Sequence, residues 1–585
     1  MIKHDSLSNV LYIDLSKREF YTKERSDIFD KYLGGSGAAI KLLQEECKTN
    51  CDPFSPDNPI IFSVGPITGL FPLASKVVAM FKSPLTFNLG ESHAGGRSAI
   101  AIRSAGYGAI VIKGESETPI YISVEDNDVH FKDGSALWGM RSTYTVGRVL
   151  RQSERGSGTR TIMRIGKAGE KLVRYAGLTT ETYRHFGRLG LGAVFGSKKL
   201  KALVISGRSS IPVKNSKKYK ELYDQIYDDA TKSAVMRKYH DIGTAVNVSR
   251  LNEISALPTY NLQYSKFDAV DNISGEKLAE EYLGRRIACG HCPVACIHIA
   301  ALRVPYEDEK YFFKTTMIPY DYELIYALGS MLGIGYPNGL LKIIELVEAY
   351  GADAMSTGVC MAYATEMFEK GKISEKDTAG LKPKFGNWNT YMKFLKNMIE
   401  RKNKFYDALA NGVEYASKIY GGKEFALAFG GLEMPGYNTG PGGYVGYLIG
   451  ARHSHLDNAG YDVDQKHKDL SPDALVGKLI AEEEWRQILS SLVVCFFSRG
   501  IYKPEIVQDC LAAAGFDLDK DAQLGVAKEI LNEKFKFKYR EGFSFDKLRL
   551  PERIFKVDTL RGKVKKDYIR KCLAVADNYY KQNKK

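Results

Sequence analysis

The chain lacks the long apolar segments of a membrane protein. No uninterrupted hydrophobic run reaches the ~18–20 residues that a spanning helix needs, so membrane insertion is not expected. The first twenty residues, MIKHDSLSNVLYIDLSKREF, have no apolar core of the kind a secretion signal carries, and a cytoplasmic location is the expectation. Cysteine is scarce, nine in 585 residues, which excludes a disulfide scaffold and makes any tight cysteine group a candidate metal or redox site. The net charge of +14 comes without zinc-finger pairing, an RNP-type segment or a basic helix, so nucleic acid is not an expected partner. The charge serves solubility or the steering of an acidic partner.

Two nucleotide templates are also missing. The stretch GRLGLGAVFGSK (187–198) has Gly196 followed by Ser197 and Lys198, not the Gly-Lys-Ser/Thr of a phosphate loop. Its Gly190, Gly192 and Gly196 fall at G-x-G-x-x-x-G, one residue too long for a dinucleotide fold. These glycines, with Arg184, Arg188, Lys198 and Lys199 nearby, are either turns between strands or a place where backbone N–H groups meet phosphate. SHAGGR (92–97) offers the same choice.

What is present is a globular composition, 44% hydrophobic and 26% charged, in a chain long enough for about two to four domains. Residues 1 to about 207 read as short strands: NPIIFSVGPITG (58–69), GAIVIKG (108–114), TPIYISVED (118–126), EKLVRYAGLTT (170–180) and KALVISG (201–207). Two of these form a weak repeat, in which a Gly-rich stretch precedes a buried-looking strand that ends in Gly: HAGGRSAIAIRSA before GYGAIVIKG, and FGRLGLGAVFGS before KLKALVISG. From about 213 helices are expected. One places Leu340, Ile343, Ile344 and Val347 on one face and stops at Gly351. Another, 473–497, delivers Cys495 at its end. The Gly-rich segment 429–455 divides this half near 420.

CGHCPVAC carries Cys289, Cys292 and Cys296 at C-x2-C-x3-C spacing. Four readings compete: a [4Fe–4S] cluster with a remote fourth cysteine, a zinc site completed by His291 or His298, a redox dithiol, and buried free thiols. The fourth thiol would come from Cys47, Cys51, Cys360, Cys495, Cys510 or Cys572, and spacing does not choose among them.

GPITG (65–69), KSPLT (82–86), GYGAIVIKG, GKAGE (166–170), GRLGLGAVFGSKKLKA (187–202), CGHCPVAC, DYELIYALGS (321–330) and GGLEMPGY (430–437) occur in the order found in the tungsten-containing aldehyde:ferredoxin oxidoreductases, and the chain resembles that family along nearly its whole length. The resemblance implies an α+β protein: an N-terminal saddle-like β domain (1–210), then two mainly helical domains (211–418 and 419–585). It implies a tungsten bis-pterin, with molybdenum an alternative, one [4Fe–4S] cluster, and Mg2+ bridging the pterin phosphates. Cys289, Cys292, Cys296 and Cys495 then hold the cluster. Lys76 stands where the family has an arginine bridging cluster and pterin, and loses its planar fork. His93 and His185 match positions whose backbone carbonyls hold the magnesium. Gly95, Arg184, Gly187 and Arg188 match pterin-binding stretches. Glu348 and Asp353 match acidic pterin contacts, and Ser490 replaces a third.

The implied reaction is oxidation of an aldehyde to a carboxylic acid. Glu323 moves the proton, burial raising its pKa, and His455, with His453 as runner-up, supports the oxyanion. Electrons leave to ferredoxin or a small iron–sulfur subunit; the sequence is compatible with an oligomer. Two rivals remain: a benzoyl-CoA-reductase-like tungsten enzyme of the same superfamily, for which Cys360 is the available metal ligand, and a structural zinc protein. The stretch RVPYEDEKY (303–311) reads as an insertion that shapes the pocket or a partner surface.

Overall fold

A computed structural model describes residues 2, 5–154, 156–306 and 311–582. The N-terminal part folds into two six-stranded mixed sheets. The first contains β1 (Asn9–Asp14), β2 (Glu19–Glu24), β3 (Ile60–Ser63), β4 (Val77–Lys82), β5 (Leu89–Ala94) and β6 (Ala109–Lys113), in the order β2-β1-β6-β3-β4-β5. The second contains β7 (Ile120–Glu125), β8 (Asp128–Asp133), β9 (Thr159–Arg164), β10 (Leu178–Thr180), β11 (Arg184–Phe186) and β12 (Leu200–Gly207), in the order β8-β7-β12-β9-β10-β11.

The two orders are the same with six added to each strand number. In both, the last strand pairs parallel to the first (β6 with β1, β12 with β7) and antiparallel to the third (β3 or β9). A short helix, Ser98–Ser104 or Leu191–Ser197, leads into that last strand. The weak repeat is therefore a duplication of topology. Burial explains why β6 and β12 read as continuous apolar runs: all of β12 is buried, and β6 is buried except at Lys113. The outer strand β2, EFYTKE, is exposed at every position, and its charges blunt a sheet edge. The sheets approach each other through β5 and β11.

Expected strands at 58–69, 108–114 and 118–126 are present within those limits, and that at 201–207 starts one residue earlier, at Leu200. The stretch 170–180 is not one strand: Lys167–Glu170 is helical and only Leu178–Thr180 joins the ladder. The glycines of 187–198 act in packing. A Cβ on Gly192 would lie 2.2 Å from the Gly177 carbonyl, and one on Gly196 2.0 Å from that of Gly169. Lys198 is buried and donates to the Gly114 carbonyl, and Lys199 donates to Glu117, so neither faces a ligand.

Helices dominate after 213, as expected. Asn215 caps Ser216–Lys232 through Lys218 N. Pro337–Tyr350 buries Leu340, Ile343, Ile344 and Val347 and ends at Gly351, φ +70°. A three-stranded sheet, β13 (Leu283–Ile287), β14 (Ile297–Pro305) and β15 (Phe313–Tyr320), interrupts this half. The presumed insertion is its β14–β15 hairpin, whose residues 307–310 lie outside the described residues. The helix meant to deliver Cys495 runs Pro472–Ser491 and stops short. Val493 turns with φ +53°, and Cys495 follows on an irregular segment.

The N-terminal and C-terminal parts meet closely at the helix Gly35–Glu46. Gly35 has φ +42°, and a Cβ there would lie 2.2 Å from the Ser490 carbonyl. Gly35→Ala is expected to cost about 2–3 kcal/mol, read as a lower thermal midpoint. An unchanged midpoint would show that this contact can shift.

Candidate functional site

The ladder from Ile287 to Ile297 closes the loop that carries Cys289, Cys292 and Cys296. His291 and Ala295 turn it with φ +54° and +52°. Two loops of the sheet domain pin it: Gly290 N donates to Gly96 O (2.8 Å), and Leu73 N donates to His291 O (3.0 Å). The Leu73 carbonyl accepts from Cys495 N (2.9 Å), and Lys76 N donates to Val493 O (3.0 Å). Leu73, at φ +67°, thus holds the remote cysteine opposite the other three.

The sulfurs act on one another electrostatically. Burial, then the neighbouring Cys495 and Cys289 sulfurs, pushes the thiols of Cys292 and Cys296 up to about 12, with Arg184 and Lys76 opposing at Cys296. Thiols this reluctant to ionise become ligands only where bound metal supplies positive charge. Among the described residues no three His, Cys, Asp or Glu side chains close on a single ion. The zinc reading also loses one of its two histidines: both nitrogens of His298 face backbone carbonyls, of Cys296 and Asp241, at 3.2 Å. Four thiols that face one another without meeting at one point suit a polynuclear iron–sulfur group. Gly95 completes the cradle, since a Cβ there would lie 2.6 Å from Cys289 Sγ and 3.2 Å from Lys76 Nζ.

Beside this cradle is a cavity of about 180 Å3. Arg184, His185, Gly187, Arg188, Cys296, Asp321, Glu323, Glu348 and Asp353 all line it. Buried guanidinium atoms at its wall, Arg184 Nε and Arg188 Nη1, lack a protein hydrogen-bond partner, while His185 Nε2 and Glu348 Oε2 pair at 2.6 Å. Unsatisfied cationic atoms of this kind call for a polar ligand. His93, in β5, and the β11 residues Arg184 and His185 occupy corresponding strands of the duplicated sheets, at the edges where these meet. His93 bonds to Glu91 (2.7 Å), which Ser36 and Lys534 also hold, and burial pushes its imidazole down to about 4. Ser490 is not brought to the cavity wall: its carbonyl packs on Gly35 and accepts from Val493 N. A larger cavity, about 290 Å3, lined by Phe87, Arg174, Tyr415 and Arg549 among others, contains none of the expected residues.

Glu323 opens the helix Tyr322–Leu328, whose cap is Asp321 accepting from Leu324 N. His455 opens the short helix His455–Asn458, capped by Ser454 and Asp457. His455 Nε2 lies 3.3 Å from Glu323 Oε1, and the Tyr437 hydroxyl donates to the same oxygen at 2.9 Å. Tyr437 also packs on His455, ring centroids 5.0 Å apart. The expectation that burial raises the Glu323 pKa is overturned. Burial does act that way, but His455 and Tyr437 outweigh it and hold the carboxyl below the usual range. The raised carboxyl is Asp321, pushed up to about 6 by burial and by the charge of Glu323. His453 faces elsewhere, between Tyr447 O and Lys538 Nζ.

Tyr437, Asp321 and Leu73 were not singled out in sequence. Tyr437 and Asp321 lie inside GGLEMPGY and DYELIYALGS, but a motif does not reveal which of its side chains turns inward. The same holds for Glu433. Ser356 Oγ lies 2.6 Å from Asp353 Oδ2 and 2.7 Å from Glu433 Oε2. One hydroxyl has one proton, so one carboxyl must supply the other. Asp353 faces the Arg188 guanidinium at 3.2 Å, and burial pushes Glu433 above the usual range, so Glu433 is the better placed of the two to hold that proton.

These features define an oxidoreductase class: duplicated sheets, a four-thiol cradle, and a charged cavity beside that cradle. Residues 10–207 match the family model "Aldehyde ferredoxin oxidoreductase, N-terminal domain", and residues 220–584 match its "domains 2 & 3". The tungsten-containing aldehyde ferredoxin oxidoreductase of Thermococcus kodakarensis is 31% identical over 98% of this chain and 95% of its own length. That of Pyrococcus furiosus is 31% identical over 91% and 88%. The WOR-like subunit of an aliphatic sulfonate oxidoreductase from Pyrococcus furiosus is 26% identical over 88% and 83%. The chain belongs to the aldehyde ferredoxin oxidoreductase family. Its fold also matches the active-site complex BamBC of benzoyl coenzyme A reductase, solved with 1,5-dienoyl-CoA, at a TM-score of 0.78 and 20% identity over 99% of this chain and 98% of that one.

The infrared difference between wild type and Glu433→Gln is expected to show the loss of a protonated-carboxyl component at neutral pH. A spectrum unchanged by the substitution would place the extra proton elsewhere.

Proposed function

We propose that the chain is the catalytic subunit of a tungstopterin enzyme that oxidises an aldehyde to a carboxylic acid, RCHO + H2O → RCOOH + 2 H+ + 2 e−. The observation that carries the reading is the group of Glu323, His455 and Tyr437 next to a cavity walled by Arg184, His185, Arg188, Glu348 and Asp353, with the thiol cradle behind it. Those cavity residues would hold the pterins, with Gly187 leaving open space, and the carbonyls of His93 and His185 are the proposed magnesium ligands. Cys289, Cys292, Cys296 and Cys495 would hold a [4Fe–4S] cluster, with Lys76 and Arg184 as nearby cations. When bound, the tungsten centre supplies two-electron redox chemistry, and the cluster passes the electrons on singly.

The protein's part is proton handling and orientation. Glu323, kept ionised by its two neighbours, is ready to accept a proton from the water that becomes part of the acid. His455 is aligned by the Ser454–Asp457 cap and is half of a donor pair with Tyr437. Both bond the carboxylate before reaction and are placed to donate towards a developing oxyanion once Glu323 takes the proton. The final acceptor is an acidic one-electron carrier, ferredoxin or a small iron–sulfur protein, for which the net charge of +14 favours encounter. The benzoyl-CoA-reductase-like alternative needs a cysteine at the metal. Cys360, its candidate, is fully buried, bonds to Leu409 O (3.6 Å) and does not line the cavity.

Elemental analysis of anaerobically purified protein is expected to find about one tungsten and four iron per chain. Gly95→Ala, by displacing Cys289, is expected to lower iron content while the fold, read by circular dichroism, is kept. Zinc without iron would overturn the cofactor reading. Glu323→Gln is expected to lower kcat/KM by about 10²–10⁴ at unchanged tungsten content. Full turnover in that variant would remove Glu323 from the mechanism.

A further inference from the structure

Two cysteines that the site does not use lie together on a different element. Cys47 ends the helix Gly35–Glu46, its N–H bonded to Leu43 O. Lys48 to Cys51 form a turn, with Cys51 N donating to Lys48 O (3.2 Å) and Asn50 at φ +57°. The turn brings the Cys47 and Cys51 sulfurs to 3.7 Å. Both are buried, Cys51 being the more accessible at 9%. The turn is fastened from two sides. Lys82 Nζ donates to Cys51 O (2.7 Å) and pairs with Glu541 (2.6 Å). Glu541 accepts from Asn50 N (3.1 Å), and Arg540 donates to Cys47 O (3.2 Å). The sulfurs therefore sit where the sheet domain meets the end of the C-terminal helix Lys520–Arg540.

No third metal-binding side chain closes on this pair among the described residues, which speaks against an ion and for sulfur chemistry. A disulfide needs a separation of ~2.05 Å, reachable by side-chain rotation and a small adjustment of a turn that belongs to no strand. Cys51 is the more accessible sulfur, and the neighbouring Cys47 sulfur, with Lys82, pushes its thiol down to about 7. A reactive thiolate with a second thiol within reach is what reversible thiol oxidation requires.

We infer that Cys47 and Cys51 form a redox-active dithiol whose substrate is a hydroperoxide and whose product is an intramolecular disulfide. The Cys51 thiolate attacks one peroxide oxygen. The O–O bond breaks, the departing oxygen takes a proton, and Cys51 becomes a sulfenic acid. The Cys47 sulfur then attacks Cys51 Sγ, the S–O bond breaks, and water leaves. Two thiols lose two electrons and two protons, and one hydrogen peroxide becomes two waters. A reducing thiol reverses the step by exchange.

The sequence supplies a direct readout. Trypsin cuts after Lys41, Lys48 and Lys76, leaving Cys47 on peptide 42–48 and Cys51 on peptide 49–76. Anaerobically purified holoenzyme is treated with stoichiometric hydrogen peroxide, alkylated under denaturing conditions, digested and mapped by mass spectrometry. The expected product is the two peptides joined, lighter than their sum by two hydrogens, and separated again by dithiothreitol. Cys51 is expected to react roughly tenfold or more faster than the buried Cys510 and Cys572. Cys47→Ser is expected to leave a Cys51 sulfenic acid that dimedone traps. Separate alkylated peptides after peroxide would overturn the inference, as would irreversible oxidation of Cys51 without the link. The wild-type map decides even if the variant does not fold.

Discussion

The organisation of the site hangs on the backbone of one residue. Leu73 donates its N–H to the loop carrying three cysteines and accepts through its carbonyl from the segment carrying the fourth. Those segments are some two hundred residues apart in sequence, and neither contains a regular element that would aim its sulfurs. Both are irregular, turned by left-handed residues at His291, Ala295 and Val493. The sheet domain is thus the template on which the cradle is assembled, and Leu73 itself adopts a left-handed backbone to reach both sides. Such a conformation costs on the order of 1 kcal/mol and persists because neighbours on two sides hold it.

The same domain owes its form to duplication. A six-strand unit of fixed connectivity occurs twice, and the two copies approach through equivalent strands, β5 and β11. In each unit the strand that reaches this edge precedes the short helix leading to the central strand. His93 and Gly95 in one copy, and Arg184 to Arg188 in the other, therefore arise from the same structural position.

Charge is managed in the interior by pairing each carboxyl with a stated donor or a proton. Glu323 keeps its charge through His455 and Tyr437. Two residues earlier, Asp321 is penalised by burial and by that retained charge. Glu433 is also pushed up by burial, and it shares the Ser356 hydroxyl with Asp353, which faces Arg188. Acids within one small region thus shift in different directions, each decided by its immediate neighbours rather than by residue type.

Much was legible in the chain itself. Local patterns marked most of the strands, the helix that stops at Gly351, the repeat and the three-cysteine loop, because hydrophobic period and short spacing act over a few residues. The ordered motifs sufficed for the family. Other features depended on contacts between distant segments, which no local pattern encodes. These include the release of Cys495 from its helix, the burial of Lys198 away from any ligand, the three-stranded sheet within the helical half, and the convergence of Tyr437 on Glu323. The sign of the Glu323 shift is the clearest case. Sequence suggested burial, and burial alone raises a carboxyl. Only the fold brought a tyrosine and a histidine to one oxygen, where hydrogen bonding to the charged form outweighs desolvation.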